Sequence, residues 1–486
     1  MASSNHSVAR QGQSHEKFVE GEYVPFERPS QVVRDIIGKH DKISDLWWSG
    51  VAASGILLIL GIIGFAVRAS AGVSDRGIWG YYAMIFAFLL TTTSAAPIVV
   101  IAMRMTNAHW RRPVSRVAEL WTVAGIFNLI IFIPMLWILP PLTDGRRSLW
   151  FYDADDPFYS KVPIYSPHIW STLALVGLVV TGLMLLYLST LPDLALMRDN
   201  GSGWRQRWAA KISRNWIGTT RQWNMLHHRM GILGAFYFMM LVLVHFLFSV
   251  DFLIALVPGW IDALFPITHL ANALQAGVAT VILSLFVLRQ FGGYKDYIKI
   301  DQFWGLSKLL LALSLLWFWF WFSSFNVMWY GAKPNERAVF ELLMFGAYRP
   351  AFFAGFALSF LTPLLVMVWN PVRKSIWGPT IMAVAVLAGT FFDRLRLYVA
   401  TYGVPGIGLK EVDKHELPME AIGDAILPGL PDVFIVLGAI GGSILFVLLA
   451  SRLLPPVSIW EQKELVLYKT HKTFHRTKVL VLGKPR

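Results

Sequence analysis

Several charged side chains lie inside long apolar stretches, and their types could do chemistry there. Among them are Glu119, Asp251, Lys308, Asp393 and Arg394. A charge near the bilayer centre costs about 2.5 to 3.5 kcal/mol on insertion scales, so such residues usually face a bundle interior and have partners. A buried carboxylate can accept and release protons, or it can form a structural ion pair. Both readings stay open for these residues.

The depths of these residues define two layers. Asp251, Asp393 and Arg394 are expected in one half of the membrane, and Glu119 and Lys308 near the other end. Asp251 and Asp393 also lie at similar depths of helices that run in the same direction. This similarity predicts a pseudo-repeat with its axis along the membrane normal.

Histidine and cysteine set limits on redox chemistry. His245 is expected near the middle of its helix, whereas His168 and His269 mark helix ends, so no pair is expected at matching depth for axial ligation of haem. The chain contains no cysteine, which excludes Cys-ligated iron-sulfur clusters and c-type haem attachment. We therefore predict that the chain holds no redox centre or metal of its own.

The elements that must position these side chains are ten apolar stretches, each long enough to cross a bilayer as a helix of about 20 residues. A spanning helix satisfies its own backbone hydrogen bonds, which lipid cannot do. The predicted fold is an all-α polytopic membrane protein. The stretches lie near 47 to 67, 79 to 102, 118 to 142, 169 to 191, 230 to 257, 269 to 288, 304 to 329, 350 to 369, 376 to 399 and 431 to 454.

Composition and charge agree with this architecture. Hydrophobic residues make up 55% of the chain and charged residues 15%, which is too apolar for a soluble domain. Thirty of the 43 Lys and Arg lie in the two tails and alternate loops, against ten in the other loops. Basic residues collect on the cytoplasmic side, so both termini are expected in the cytoplasm. The net charge of +13 is thus a topology signal, and it does not predict nucleic-acid binding.

The chain is predicted to be one membrane domain, 47 to 454, between cytoplasmic segments 1 to 46 and 455 to 486. The loop 192 to 229, which alternates Trp with Arg and Lys, is typical of a helix lying on anionic lipid headgroups. Two outer loops, 143 to 168 and 400 to 430, are acidic and could dock a periplasmic partner. Their acidic residues are Asp144, Asp153, Asp155, Asp156, Glu411, Asp413, Glu416, Glu420 and Asp424.

A series of short motifs between 166 and 399 resembles the NrfD-like family, the membrane subunits of polysulfide reductase and of alternative complex III. The order and spacing of these motifs are most similar to the ten-helix subunits of alternative complex III. The motifs are Ser166-Pro167-His168-Ile169-Trp170, Leu191 to Asp199, Val250-Asp251-Phe252, Pro258-Gly259-Trp260, Phe265-Pro266, Leu306 to Leu309, Trp329-Tyr330-Gly331 and Gly389 with Phe392-Asp393-Arg394.

The resemblance implies two four-helix bundles, at about 79 to 257 and 269 to 399, with the first and last spans outside them. It implies a subunit of a respiratory complex in the bacterial inner membrane, with an iron-sulfur subunit and other membrane subunits as partners. Quinol or menaquinol would be a diffusible substrate, bound near the periplasmic side by Asp251, His168 and His245. A proton route would use Asp393, Arg394, Glu119 and Lys308.

Two alternatives remain. Quinol-site members of the family carry His-Gly-Arg after the third span and an acidic residue after Trp170, where this chain has the stretch around Trp137 and then Ser171. These differences favour a structural or proton-handling anchor without a quinol site. A secondary transporter is the weaker alternative, because the midplane is poor in charge and two parallel bundles do not make an inverted repeat.

Overall fold

A computed structural model of the chain describes residues 28–42, 44–73, 75–138, 165–404, 417, 419–474 and 477–482. Most of the acidic loop residues proposed above for partner docking lie outside these residues. Glu420 and Asp424 are described, and both are exposed.

Helices make up most of the described chain, which confirms the helical fold. In chain order they are α1 Pro29–Asp41, α2 Asp45–Ser70, α3 Gly80–Thr93, α4 Ala96–Met105, α5 Arg112–Leu120, α6 Ala124–Ile138, α7 Ser166–Asn200, α8 Gly203–Ile212, α9 Thr220–Asp251, α10 Phe265–Phe291, α11 Ile300–Gly331, α12 Pro334–Phe340, α13 Arg349–Phe356, α14 Thr362–Met367, α15 Asn370–Arg373, α16 Trp377–Arg394, α17 Ala400–Tyr402, α18 Leu430–Leu453 and α19 Ile459–Leu467. Short 3₁₀ turns lie at Gly77–Trp79, His109–Arg111, Trp121–Val123, Ile254–Leu256 and Met419–Ala421.

The last part of the chain departs from a purely helical fold. Two strands, β1 Lys469–Phe474 and β2 Thr477–Leu482, pair antiparallel, with Lys469 opposite Leu482 and Phe474 opposite Thr477. The sequence predicts 455 to 486 only as a cytoplasmic C-terminal segment. The structure shows a helix and a hairpin within it.

Among the described residues, nine helical segments are long and apolar enough to cross a membrane. They are Asp45–Ser70, Gly77–Met105, His109–Ile138, Ser166–Asn200, Thr220–Leu256, Phe265–Phe291, Ile300–Gly331, Arg349–Met367 and Leu430–Leu453. The remaining predicted span, 376 to 399, corresponds to α16, which carries Asp393 and Arg394 and is less apolar. It still connects the two ends of the domain. Lys374, before it, lies over the Trp304 ring near the start of α11, while Tyr402 and Val404, after it, accept hydrogen bonds from Arg76 in the α2–α3 loop.

Helices α2 and α18 pair along their length at the edge of the domain. Their backbones touch at glycines: a Cβ on Gly61 would lie 2.6 Å from the Gly438 Cα atom. Small residues at such a crossing allow the close van der Waals packing that holds helices together in lipid. Arg68 at the end of α2 pairs with Asp432 at the start of α18, with Nε and Oδ1 3.0 Å apart. Most of the α2 surface faces outward.

The other helices pack on one another across the domain. Helix α7 packs on α9, and α10 packs on α11 and α16. Helix α10 also contacts α3, α4 and α9, so it lies at the junction of the two groups. The exact domain boundaries stay predictions.

The described terminal helices lie together at one end of the domain, called here the termini end. Helix α1 packs against α19 and α7. Arg205 of α8 is buried and donates to the carbonyl oxygen of His40 at 2.9 Å. Helix α8 therefore docks on the terminal segments through Arg205, while Arg207 and Lys211 remain exposed, as expected for a helix on lipid headgroups.

Candidate functional site

The last residue of α9, Asp251, is a buried carboxylate at the end of the domain opposite the termini end. Its side chain is 2% exposed. Trp170, in the first turns of α7, donates from Nε1 to the Asp251 Oδ2 atom at 2.8 Å. His168, buried two residues before Trp170, begins the same helix and packs edge-on against Tyr165. The Ser-Pro-His-Ile-Trp motif thus brings two polar rings to the end of the domain where Asp251 lies.

Aromatic side chains pack beside Asp251. Phe248 and Phe252 of the α9 end are stacked with ring centroids 4.4 Å apart. Phe132 lies against both, and Phe86 contacts Phe132 and Phe248. A carboxylate beside such an apolar cluster loses most of its hydration, so hydrogen-bond donors such as the Trp170 indole become important to it.

The third residue predicted for this site, His245, lies elsewhere. Its Nδ1 atom lies 3.0 Å from Nδ1 of His269, which is near the start of α10. Both rings are fully buried. The prediction that these histidines lie at different depths is wrong. His245 is six residues before the end of α9 and His269 four residues after the start of α10, so at 1.5 Å per residue their depths differ by only about 3 Å.

Asp393 and Arg394 belong to a buried network that reaches this histidine pair. The Asp393 carboxylate accepts from Arg396 Nη2 at 2.7 Å and lies 3.5 Å from Arg394 Nη1. Arg394 donates to Asn272 Oδ1 at 2.7 Å and to Thr91 Oγ1 at 3.2 Å, so it links α16, α10 and α3. Tyr398 lies 3.4 Å from Nε2 of His269. This arrangement is the ion-pair alternative that the sequence analysis left open for Asp393.

A cavity of about 40 Å³ lies beside this network, large enough for a few water molecules at roughly 10 to 15 Å³ of such volume each. Its walls are mostly apolar, with several Trp and Phe rings, and its polar lining groups are Asp262, Thr268, His269, Ser324, Asp393, Arg394 and Arg396. Two π-helical stretches, Glu341–Phe345 and Leu395–Val399, supply part of the lining. Interruptions of this kind occur often at functional sites.

The sequence analysis missed Asp262, in the loop before α10. Its Oδ1 atom accepts from the backbone N–H groups of Leu264 at 2.9 Å and Phe265 at 3.1 Å, and Ser324 also donates to the carboxylate. Burial raises the pKa of Asp262, although these hydrogen bonds act in the opposite direction. An Asp three residues before a Phe-Pro helix start is a capping signal that could have been recognised.

Glu119 lies in a separate charged cluster at the termini end. Its carboxylate pairs with Arg104 of α4, and Ser189 of α7 donates to Oε2 at 2.6 Å. In the same cluster Arg116 Nη2 lies 2.8 Å from Asp193 Oδ2. Glu119 and both residues of this second pair are almost completely buried. Spacing along one helix predicts none of the pairs between helices.

Lys308 does not join Glu119. Its side chain is exposed on α11, and Nζ lies 3.6 Å from the centroid of the Trp304 ring. The two residues predicted to form one polar layer near the termini end therefore differ: Glu119 is buried inside a charged cluster, and Lys308 is exposed. A Lys beside a Trp ring on the outside of a helix bundle is a common interfacial arrangement.

The fold and these buried networks define a polytopic helical membrane protein with charged groups inside its bundles. A family model, described as polysulphide reductase, NrfD, matches residues 69–406. Because this match covers more than half of the chain, the protein belongs to the NrfD family. Members are membrane subunits of quinone-linked oxidoreductase complexes and assemble with iron-sulfur subunits. No curated protein matches the chain.

Proposed function

We propose that the chain is the quinol-interacting membrane subunit of a respiratory complex, with its quinol site at Asp251. The proposal rests on one observation: a carboxylate that is 2% exposed ends α9 beside an aromatic cluster and accepts a hydrogen bond from Trp170. Membership of a family of quinone-linked membrane subunits supports it. The resemblance to the ten-helix subunits of alternative complex III favours the same reading.

The chemistry of this site would be proton acceptance. A quinol that becomes a quinone releases two electrons and two protons. The electrons would pass one at a time to the iron-sulfur clusters of a partner subunit, since this chain contains no cysteine to hold such a cluster. Asp251 would accept the two headgroup protons in turn, one with each electron, and pass each to the aqueous side. His168 lies at the same end of the domain. The ubiquinone or menaquinone type stays open.

His245 is not part of this proposed site. Its hydrogen bond to His269 places it at the junction of α9 and α10. We assign it instead to the buried network of Arg394 and Asp393. That network and the Glu119 cluster are two separate groups of buried charges, among the described residues, with which the chain could handle protons inside the membrane. The contact described for Lys308, with the Trp304 ring, belongs neither to the Arg394 network nor to the Glu119 cluster.

The experiment is the substitution Asp251→Asn in the assembled complex. Asn keeps the size and can still accept from Trp170 Nε1, but it is not a base. We expect quinol oxidation to fall 10²-fold to 10⁴-fold, the range typical of losing a general base, while assembly is largely preserved. Steady-state turnover with a soluble quinol analogue measures this, and subunit content of the purified complex measures assembly.

The matched control is Asp424→Asn, which removes an exposed carboxylate from a described loop. It should leave turnover unchanged. Normal quinol turnover in a fully assembled Asp251→Asn complex would contradict the proposal and would favour the structural anchor, the second function left open by Trp137 and Ser171.

A further inference from the structure

The C-terminal segment after α18 enters the membrane domain. Residues Ser458–Leu467, called here the strap, comprise α19 and the residue before it. Ile459, Trp460, Glu461 and Gln462 are all buried, and Glu461 and Gln462 are completely so. A charged residue at zero exposure is unusual for a terminal segment, since Glu is almost never fully buried unless it is paired. The family model ends at residue 406, so the strap lies outside the matched region.

Trp460 fixes the strap to α7. Its backbone N–H donates to Asp193 Oδ1 at 2.7 Å, and its indole Nε1 donates to the carbonyl oxygen of Ser189 at 3.0 Å. The ring also lies against Trp223 of α9, with centroids 5.3 Å apart. These two bonds reach Ser189 and Asp193, which lie one turn apart on α7, so they fix the strap to that helix.

Glu461 completes the charge balance of the cluster. Arg104 bridges two carboxylates: it pairs with Glu119 through Nη1, and its Nη2 atom lies 3.0 Å from Glu461 Oε1. Burial by itself would raise the pKa of Glu461, but Arg104 and Arg111 lower it overall, so the carboxylate stays charged.

The strap brings a second carboxylate. Glu464, one turn after Glu461, lies 3.3 Å from Arg112 Nε. The cluster then holds four guanidinium groups and four carboxylates, and two of the four carboxylates come from the strap. The members are Arg104, Arg111, Arg112, Arg116, Glu119, Asp193, Glu461 and Glu464. Leaving a buried charge without its partner is costly, so the strap and the cluster stabilise each other.

The strap is itself covered by the other end of the chain. Helix α1 packs on α19 and on α7, and its buried face is apolar: Val32, Val33, Ile36 and Ile37. Helix α1 and the strap thus pack one on the other at the termini end of the domain. A segment held only by lipid contact would not need ion pairs with α4 and α5 and a hydrogen bond to Asp193 of α7.

We propose that the strap is a seal. It covers the helices that hold the charged cluster at the termini end and keeps water away from Glu119 and Arg104. When the strap is displaced, water reaches these residues. Trp460 holds the seal in place, and Glu461 is its charged contact with the interior. The proposal does not depend on a quinol site. It states that access to the buried cluster is controlled by residues 458–467.

A cysteine probe tests this, because the chain has none of its own. Ser115 is completely buried and contacts Glu461 beneath the strap. In purified protein in lipid nanodiscs, Ser115→Cys should react slowly with a polar maleimide. Adding Trp460→Ala should raise that rate about tenfold or more, since local opening governs access to a buried group. Glu461→Gln is the milder second variant.

Two controls accompany the probe. Lys463→Gln alters a half-exposed residue on the same helix and should leave the rate at the parent value. Ser202→Cys, exposed at the same end, should label rapidly in every background and reports that the reagent reaches this end of the protein; the thermal unfolding transition of each variant reports that it is folded. The proposal is overturned if Ser115→Cys labels as fast as Ser202→Cys with the strap intact. It is also overturned if Ser115→Cys still labels slowly when Trp460→Ala is added. If the Trp460→Ala protein does not accumulate, slow labelling of Ser115→Cys combined with Glu461→Gln overturns the proposal instead.

Discussion

At the scale of single residues, several buried charges of the described segments form ion pairs. Asp393 pairs with Arg394 and Arg396, Glu119 with Arg104, and Asp193 with Arg116. Asp251 accepts a hydrogen bond from the Trp170 indole and ends α9 beside an aromatic cluster, at the end of the domain opposite the termini end. This position is why Asp251, rather than Asp393, is assigned the proton of the quinol.

The ion pairs of Asp393 predict how the protein responds to a substitution at this position. Asp393→Asn removes the carboxylate that accepts from Arg396 at 2.7 Å and leaves two buried guanidinium groups without it. Breaking a buried pair on one side costs about 3 to 5 kcal/mol, so we expect poor accumulation and a lower melting temperature of the purified protein.

Arg396→Gln in the same chain should recover part of this loss, since fewer charges remain uncompensated. Lys308→Gln, on the exposed face of α11, is the control and should change stability little. A stable Asp393→Asn protein that has lost proton transfer would instead assign Asp393 to a proton route.

At the scale of elements, the pairing of α2 with α18 depends on glycine. A Cβ on Gly438 would lie 2.3 Å from the Gly61 Cα atom, a distance that only a backbone shift can relieve. Gly61→Ala should therefore separate the helices, with a cost of about 1 to 3 kcal/mol typical of overpacking. The measurement is the thermal unfolding midpoint of the purified protein in detergent.

Gly55→Ala is the matched control on the same helix, because nothing lies within 4 Å of a Cβ at that position. It should be neutral or slightly stabilising, since Ala is the better helix former. Equal midpoints for the two variants would show that the crossing tolerates a wider separation than its glycines indicate.

At the scale of the whole molecule, the termini end collects α1, α8 and α19, and the distribution of Lys and Arg predicts that this end faces the cytoplasm. Cysteine at Ser148, in the loop between the third and fourth spans, should react with a membrane-impermeant thiol reagent in intact cells. Cysteine at Ser202, exposed at the termini end, should react only after the membrane is opened. The reverse pattern would place the Asp251 end in the cytoplasm.

The sequence by itself determined the helical fold, most span positions and four of the buried charges, Glu119, Asp251, Asp393 and Arg394. These are local properties: about 20 consecutive apolar residues make a span wherever they occur, and a charge within such a run stands out. It also gave the context of Asp251, because Val250-Asp251-Phe252 and the motif around Trp170 are short and continuous.

Only the tertiary structure decided which charged and polar groups meet. His245 and His269 contact each other because a short loop turns α9 into α10, and loop geometry sets their depths. Arg104 lies between Glu119 and Glu461, which is 357 residues further along the chain, and no periodicity relates such positions. Lys308 faces outward because of the rotation of α11 about its own axis. The sequence does not predict this rotation, because aromatic residues occur on all sides of the helix. Contacts between distant segments depend on helix rotation, crossing and the path of the C-terminal strap, and these are properties of packing.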